Sequence, residues 1–247
     1  MKKSYSKWFL TKVKKAVRDF DMIQNKDRIG IGVSGGKDSI ALLFILDLFR
    51  KYSHLEFSIH AVSLDLGWGV DYTPLIEFCK NRDIPLHIEK TDIGEIVFYH
   101  RKEKNPCSLC SKMRGGALNN VVKQLDCNVV ALGHHADDAI ETLLLNMIFT
   151  GKLGAFQPKI FLDRSGLTLI RPLVYLHEDV IISLVKSENL PIIDNPCPAS
   201  GVTKREDIKN LIDMMEEIFP SARANLLSSL SNVVYSGLWM KEDKDKS

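Results

Sequence analysis

The stretch Arg28-Ile29-Gly30-Ile31-Gly32-Val33-Ser34-Gly35-Gly36-Lys37-Asp38-Ser39 runs from an apolar alternation into a glycine turn and on into a helix. It reads as a nucleotide-phosphate loop. Gly35 and Gly36 carry no Cβ, so the backbone N–H groups can close on an oxyanion while the following helix turns its positive end to the same charge. Ser34, Lys37, Asp38 and Ser39 complete the candidate binding set, with Lys37 placed to hold a polyphosphate. The Walker A pattern G-x-x-x-x-G-K-[ST] does not fit: Ile31 stands at its first glycine and Asp38 at its Ser/Thr. A glycine turn without a ligand is the bland alternative, and the serine, lysine and aspartate at these spacings argue against it.

Working outward, residues 40–49 are nearly all apolar, as a helix buried against a sheet requires. Strands are expected at 57–64, 86–89 and 128–132, and helices at 75–82 and 112–125. This alternation predicts an α/β fold, a parallel sheet with right-handed crossovers and helices on both faces. Ligands then sit outside the carboxyl ends of the strands. That rule adds Ser63 and Leu64, after strand two, and Gly133, after strand four, to the nucleotide-binding candidates. Gly133-His134-His135-Ala136-Asp137-Asp138 opens another helix; one aspartate can cap it, and Asp138 is the better candidate for magnesium or for orienting a reacting base.

Residues 4–23 place Trp8, Val13, Val17 and Phe20 near helical spacing among lysines, which predicts an amphipathic helix with a basic open face. That face either tracks phosphates or is an ordinary solvated one. Residues 151–171, with Lys152, Lys159, Arg164 and Arg171, break the pattern and read as an excursion from the core with a hairpin near Ser165-Gly166. Helices follow at 178–188, 204–219 and 222–234, with 191–193 extended. The expected organisation is an N-terminal basic helix (1–27), an α/β nucleotide-binding domain (28–196), a helical segment carrying the last cysteine (197–240) and a disordered charged tail (241–247).

The 247 residues are enough for one large domain with additions, and 33 Lys+Arg against 31 Asp+Glu mean that a nucleic acid must be met by a local patch. Five cysteines at irregular spacing do not make a disulfide framework and suit a reducing cytoplasm. No apolar run approaches the ~20 residues of a membrane span, and no secretory leader is evident. The expectation is a cytoplasmic protein without membrane contact.

Cys107-Ser108-Leu109-Cys110 is a C-x-x-C, able to share one metal or form a redox pair. Cys197, set between Pro196 and Pro198, is a third fixed thiol, whereas Cys79 and Cys127 read as small hydrophobes. A closed zinc site needs a fourth ligand, for which His100, His134 and His135 are candidates. An iron–sulfur cluster on three cysteines leaves one iron open. From the residues alone cluster, zinc and redox pair stand level.

Ser34–Ser39 (S-G-G-K-D-S) resembles the pyrophosphate loop of the PP-loop ATP pyrophosphatases, whose fold is that of the adenine nucleotide α-hydrolases. Adding C-S-L-C-S-K-M-R from Cys107, A-L-G-H-H-A-D-D from Ala131, L-N-M and G-K around Asn146 and Gly151, and I-R-P-L from Ile170, the chain resembles the tRNA 2-thiocytidine synthetase family from residue 28 to about 240. The resemblance implies a [4Fe-4S] cluster on Cys107, Cys110 and Cys197, and ATP with Mg2+ at the loop. It also implies adenylation of the C2 oxygen of a tRNA pyrimidine, most simply an anticodon-loop cytidine, followed by sulfur displacing AMP. Lys37 and Asp138 serve the nucleotide, and Arg114 or Lys112 the developing charge. The implied partners are tRNA and a sulfur donor such as a cysteine desulfurase; a homodimer is left open. Around Cys197 the sequence departs from the denser C-x-x-C-like run common in the bacterial family, and Asp65-Leu66-Gly67-Trp68 departs from the pattern after strand two, which leaves the target base open. The rivals are a lysidine-synthetase-like ligase, a small-molecule thiolating or desulfurising enzyme, and a zinc-stabilised RNA-binding module.

Overall fold

The computed structural model describes residues 5–101, 106–193, 196–197 and 204–239. The proposed tail at 241–247 lies outside them, as do Lys2 and Lys3. The chain forms two compact units, one of residues 1–138 and 156–203, the other of 139–155 and 204–247.

The first unit holds the sheet. A π-helical turn, Ser6–Leu10, leads into α1 (Thr11–Asp19), then β1 (Arg28–Gly32), α2 (Lys37–Tyr52), β2 (Ser58–Asp65), α3 (Thr73–Lys80), β3 (Leu86–Lys90), α4 (Pro106–Gln124) and β4 (Val129–Ala131). Helix α5 (Ala136–Thr150) begins in this unit and continues into the other; β5 (Lys159–Leu162), β6 (Leu167–Ile170) and α6 (Glu178–Ser187) complete the first. The strand order is β3-β2-β1-β4-β6-β5, parallel except for β5.

The alternation Ile29-Gly30-Ile31-Gly32 explains the layers. Ile29 and Ile31 point into the main core with α2, whose residues 39–49 are all buried, and with Val13, Val17, Ile181 and Leu184 from α1 and α6. Gly30 faces the other way and lets α4 close on the sheet: a Cβ there would stand 2.5 Å from Val122 Cγ2. A second cluster of Val62, Leu118, Val122 and Val130 fills that side. Burial of these side chains is worth roughly 1.5–3 kcal/mol each, which is what holds strands with weak individual pairing in register.

The sheet differs from expectation at one edge. Residues 151–171 were expected to leave the core, yet β5 and β6 pair antiparallel and β6 lies parallel to β4, so the hairpin extends the main sheet. The reason is Leu167 and Ile170, whose side chains are buried, with Gly166 turning at φ +72°. Helix α4 also starts earlier than the expected residue 112. Pro106 takes its first position, where a missing N–H costs nothing, so Cys107 and Cys110 lie in the helix itself, three residues apart on one face.

Strand order reverses between β1 and β4, so the chain leaves their carboxyl ends in opposite directions and a crevice opens there. Asn128 ties the two strands at their other end: its Oδ1 accepts from Arg28 N–H at 2.8 Å and its Nδ2 donates to Asp27 at 2.8 Å.

The second unit is helical, formed by the later turns of α5 with α7 (Lys204–Ile218) and α8 (Ala222–Ser229). Ile140, Leu144, Ile208 and Ile212 form its core. The last helix is shorter than the expected 222–234. Within this unit Arg205 pairs with the buried Glu141 at 3.0 Å.

Candidate functional site

The loop after β1 is wound around one hydroxyl. Ser39 Oγ accepts from Ser34 N–H at 3.1 Å, donates to Gly36 C=O at 2.9 Å, and stands 3.2 Å from Ser34 Oγ. Gly35 takes φ +87°, and its carbonyl accepts from Ile193 N–H at 3.0 Å. A Cβ at Gly35 would lie 2.8 Å from Ile193 Cβ. Gly35→Ala therefore combines a left-handed backbone with a clash, and a loss of about 1–3 kcal/mol in urea unfolding is expected, together with weaker nucleotide binding.

Lys37 Nζ lies 3.0 Å from Asp38 Oδ2 and 3.0 Å from Glu178 Oε1, at the first residue of α6. Burial works against the ammonium, but the Asp38 charge and the Glu178 hydrogen bond outweigh it, and its pKa lies above the ordinary lysine value. Glu178 was not a candidate from sequence; its partner is far away along the chain.

The two aspartates after β4 have separate duties. Asp137 is buried, accepts the Glu178 N–H at 2.8 Å and stands 3.4 Å from His177 Nδ1, so it caps α6 from the first turn of α5. Burial opposes its charge, but the neighbouring His177 ring, the Glu178 N–H and the nearby His135 ring hold its carboxyl well below the usual carboxylate range. A depressed folded pKa contributes stability that is present above the unfolded value of about 4 and is lost as pH falls toward the folded one. Asp137→Asn should thus cost about 1–3 kcal/mol near neutral pH, with the gap to wild type narrowing below about pH 4 in thermal melts.

Asp138 forms a reciprocal cap with His135. His135 N–H donates to Asp138 Oδ2 at 3.0 Å, and Asp138 N–H donates to His135 Nδ1 at 3.4 Å. The protonated nitrogen of His135 is then Nε2, which sits 3.6 Å from Asp38 Oδ1 and 3.5 Å from Asp138 Oδ2. Asp138 therefore caps the helix and also faces the crevice, the two readings that the sequence set against each other.

That crevice is a cleft of about 380 Å³. Ser34, Asp38, Ser39, Gly133 and Asp138 line one side; Ser111, Arg114 and Gly115 of α4 line the other, with Val62, Leu64 and Leu66 between. Ser63 does not reach it: strand alternation turns Ser63 to the opposite face, beside Tyr72. Gly133 is pressed against the loop, since a Cβ there would come within 2.9 Å of the Asp38 carbonyl. Trp68 lies off the cleft, its ring 6.0 Å from that of Phe98.

Arg114 connects the cleft to the thiols. Cys107 is exposed, Cys110 buried and Cys197 half-buried. Burial pushes the Cys110 thiol up; the Arg114 charge and hydrogen bond pull it down, and the Cys197 and Cys107 sulfurs add to the upward push. Cys107 and Cys197 are thus each near enough to Cys110 to act on its charge. Among the described residues no three His, Cys, Asp or Glu side chains form a ready-made metal site. The histidines considered as a fourth ligand are engaged elsewhere: His100 with Glu95 at 3.0 Å, His135 with Asp38 and Asp138, and His134 with Arg171. Cys79 and Cys127 are buried among apolar side chains, and burial raises the Cys79 thiol to about 11.

Arg171, in the I-R-P-L stretch, is a further feature of this edge. Its Nε donates to His134 Nδ1 at 3.3 Å, and its guanidinium lies 4.8 Å from the Phe156 ring centroid. Burial lowers its pKa to about 10.

Comparison with known proteins agrees with this geometry. The family model described as PP-loop domain matches residues 6–215. The tRNA-cytidine(32) 2-sulfurtransferase of Pelobacter propionicus is 41% identical over 225 residues, covering 90% of this chain and 84% of that protein. That of Geobacter sulfurreducens is 37% identical, with 90% and 88% covered. The U34-tRNA thiolase NcsA from Methanococcus maripaludis, solved with its [4Fe-4S] cluster, superposes with a TM-score of 0.72 at 24% identity, covering 90% of this chain and 78% of that one. The parallel sheet, the glycine loop after its first strand and these relatives together establish that the chain belongs to the PP-loop family and, within it, to the tRNA-cytidine(32) 2-sulfurtransferase family.

Proposed function

We propose that the chain is an ATP-dependent tRNA sulfurtransferase that replaces the C2 oxygen of a cytidine by sulfur. The observation that carries this reading is the shared cleft: one wall is the phosphate loop, the other is Arg114, which also addresses Cys110.

The chemistry follows from the walls. A C2 carbonyl oxygen is a poor leaving group until it is esterified. In the first step that oxygen attacks the α-phosphorus of ATP and pyrophosphate departs. Ser34 to Ser39 hold the polyphosphate, with Lys37 as its counter-charge. In the second, sulfur at the sulfide level bonds to C2 and AMP leaves with the former C2 oxygen. Arg114 stabilises the charge that builds at C2. Because C2 lies on the inner edge of the base, the nucleotide must be unpaired to enter.

Mg2+ suits the nucleotide side. Among the described residues Asp38 Oδ1 is buried without a hydrogen-bond partner, and it shares the cleft wall with Asp138. A Mg2+ that keeps waters and phosphate oxygens needs only one or two carboxylates. The thiol side suits a [4Fe-4S] cluster better than zinc, because three sulfurs are at hand and the candidate fourth ligands are occupied. Cys107, Cys110 and Cys197 would hold it; bound there, it supplies an iron site not filled by protein. Reduced thiols of this kind go with a cytoplasmic setting, and a cysteine desulfurase is the donor class that fits. None of the described helices is long and apolar enough to cross a membrane.

The test is anaerobic incubation of iron-loaded protein with unmodified tRNA, ATP, Mg2+ and a sulfide source, followed by mass spectrometry of the nucleosides. A 2-thiocytidine product with one AMP per sulfur is expected. AMP release with an amine joined at C2 instead would replace this reading by the lysidine-synthetase-like one.

A further inference from the structure

The N-terminal helix is unused by the chemistry above, and its position at the sheet edge gives it a use. Helix α1 buries Val13, Ala16 and Val17 and exposes Lys12, Lys14, Lys15 and Arg18; Lys7 is exposed on the turn before it. Asp19 is its one acid, and it is taken by Lys15 at 2.5 Å and Arg18 at 3.4 Å. Among the described residues Lys7, Lys12 and Lys14 have no acidic partner, so the positive charge of this face is uncompensated.

Three contacts fix where the helix ends. Lys159 opens β5, and the antiparallel register sets it opposite Ile170, at the carboxyl edge of β6. Its ammonium bonds Asp21, two residues beyond α1. Tyr175, in the turn after β6, lies 4.5 Å beneath the Lys15 ammonium and donates its hydroxyl to Asp19 at 3.3 Å. The end of α1 is therefore at the carboxyl edge of the sheet, the edge at which the cleft opens. Between them stand Arg171 on Phe156, and His134, which lines the cleft. Cations and aromatic rings alternate along that edge, which is the composition that holds a phosphodiester chain and its unstacked bases.

We propose that the open face of α1, centred on Lys7, Lys12 and Lys14, docks the phosphate backbone of the RNA whose target base enters the cleft. The inference rests on the chain acting on tRNA, and its test keeps the two apart. The probe is unmodified tRNA, titrated by fluorescence anisotropy across a NaCl series against wild type, K7E/K12E/K14E, K7Q/K12Q/K14Q, and K26E/K80E/K123E. The last changes the net charge equally, at exposed positions on the amino edge of the sheet.

K7E/K12E/K14E should bind roughly tenfold or more weakly, with the slope of log K against log[NaCl] shallower by about 2–3, and the glutamine variant should show the same loss of slope. ATP binding should be unchanged in all variants. The proposal is overturned if the α1 variants bind as wild type does, if the amino-edge variant loses as much, or if only the glutamates and not the glutamines weaken binding. Wild type that binds no tRNA would instead overturn the function on which the inference rests.

Discussion

Cys107→Ala is expected to abolish 2-thiocytidine formation and to leave ATP binding at the loop intact. The separation is expected because Cys107 is exposed, so its truncation opens no cavity, and because it stands on α4, across the cleft from Ser34 and Asp38. An enzyme that attacks C2 with an amine has no use for the three thiols and would lose nothing. Cys79→Ala is the informative control. That thiol is 1% exposed, so its removal costs stability without touching sulfur transfer. Nucleoside mass spectrometry and nucleotide binding, measured on both variants, decide the matter: retained thiolation in Cys107→Ala would remove the sulfur chemistry from this site.

Lys37→Ala should lower tRNA-dependent AMP formation by roughly 10²–10³, the usual loss when one charge-stabilising donor is deleted from an active site. Here the deletion does more than remove a donor. It leaves the Glu178 and Asp38 carboxylates, both now 3.0 Å from the ammonium, facing an incoming polyanion without it. Lys37→Ala/Glu178→Gln should therefore recover part of the loss, about tenfold, a coupling of the size neighbouring charges show in double-mutant cycles. Rates that simply multiply, with no recovery, would mean that Glu178 and Lys37 do not act together on the nucleotide.

The parts of this site that could be read from sequence are local ones. Gly35, Gly36 and Lys37 announce a phosphate loop because the glycines and the cation act within one turn, and the strand–helix alternation around them led to the parallel sheet. What escaped depends on helix phase or on distance along the chain. Asp138 was the expected cleft residue, but that its neighbour Asp137 caps α6 rather than its own helix follows only from how the first turn of α5 meets residue 178. Glu178 and Arg171 owe their roles to side chains on other segments, Lys37 and His134. The hairpin near Ser165-Gly166 was expected, but its place in the main sheet was hidden by its basic residues and by strands of only four residues. The helix expected from residue 112 begins at Pro106, because a proline is tolerated at a first helical position.

The tie made by Asn128 has a consequence for how the enzyme comes into being. Residues 27–28 and 128 are joined at one end of the central strand pair, and the loop and Gly133 abut at the other, across a hundred residues of intervening chain. Gly133 and Asp138 reach the glycine turn only once that closure is made, so a nascent polypeptide released before β4 holds the glycine turn and the C-x-x-C but lacks that side of the cleft. Competence should arrive late in synthesis, once β4 has docked beside β1.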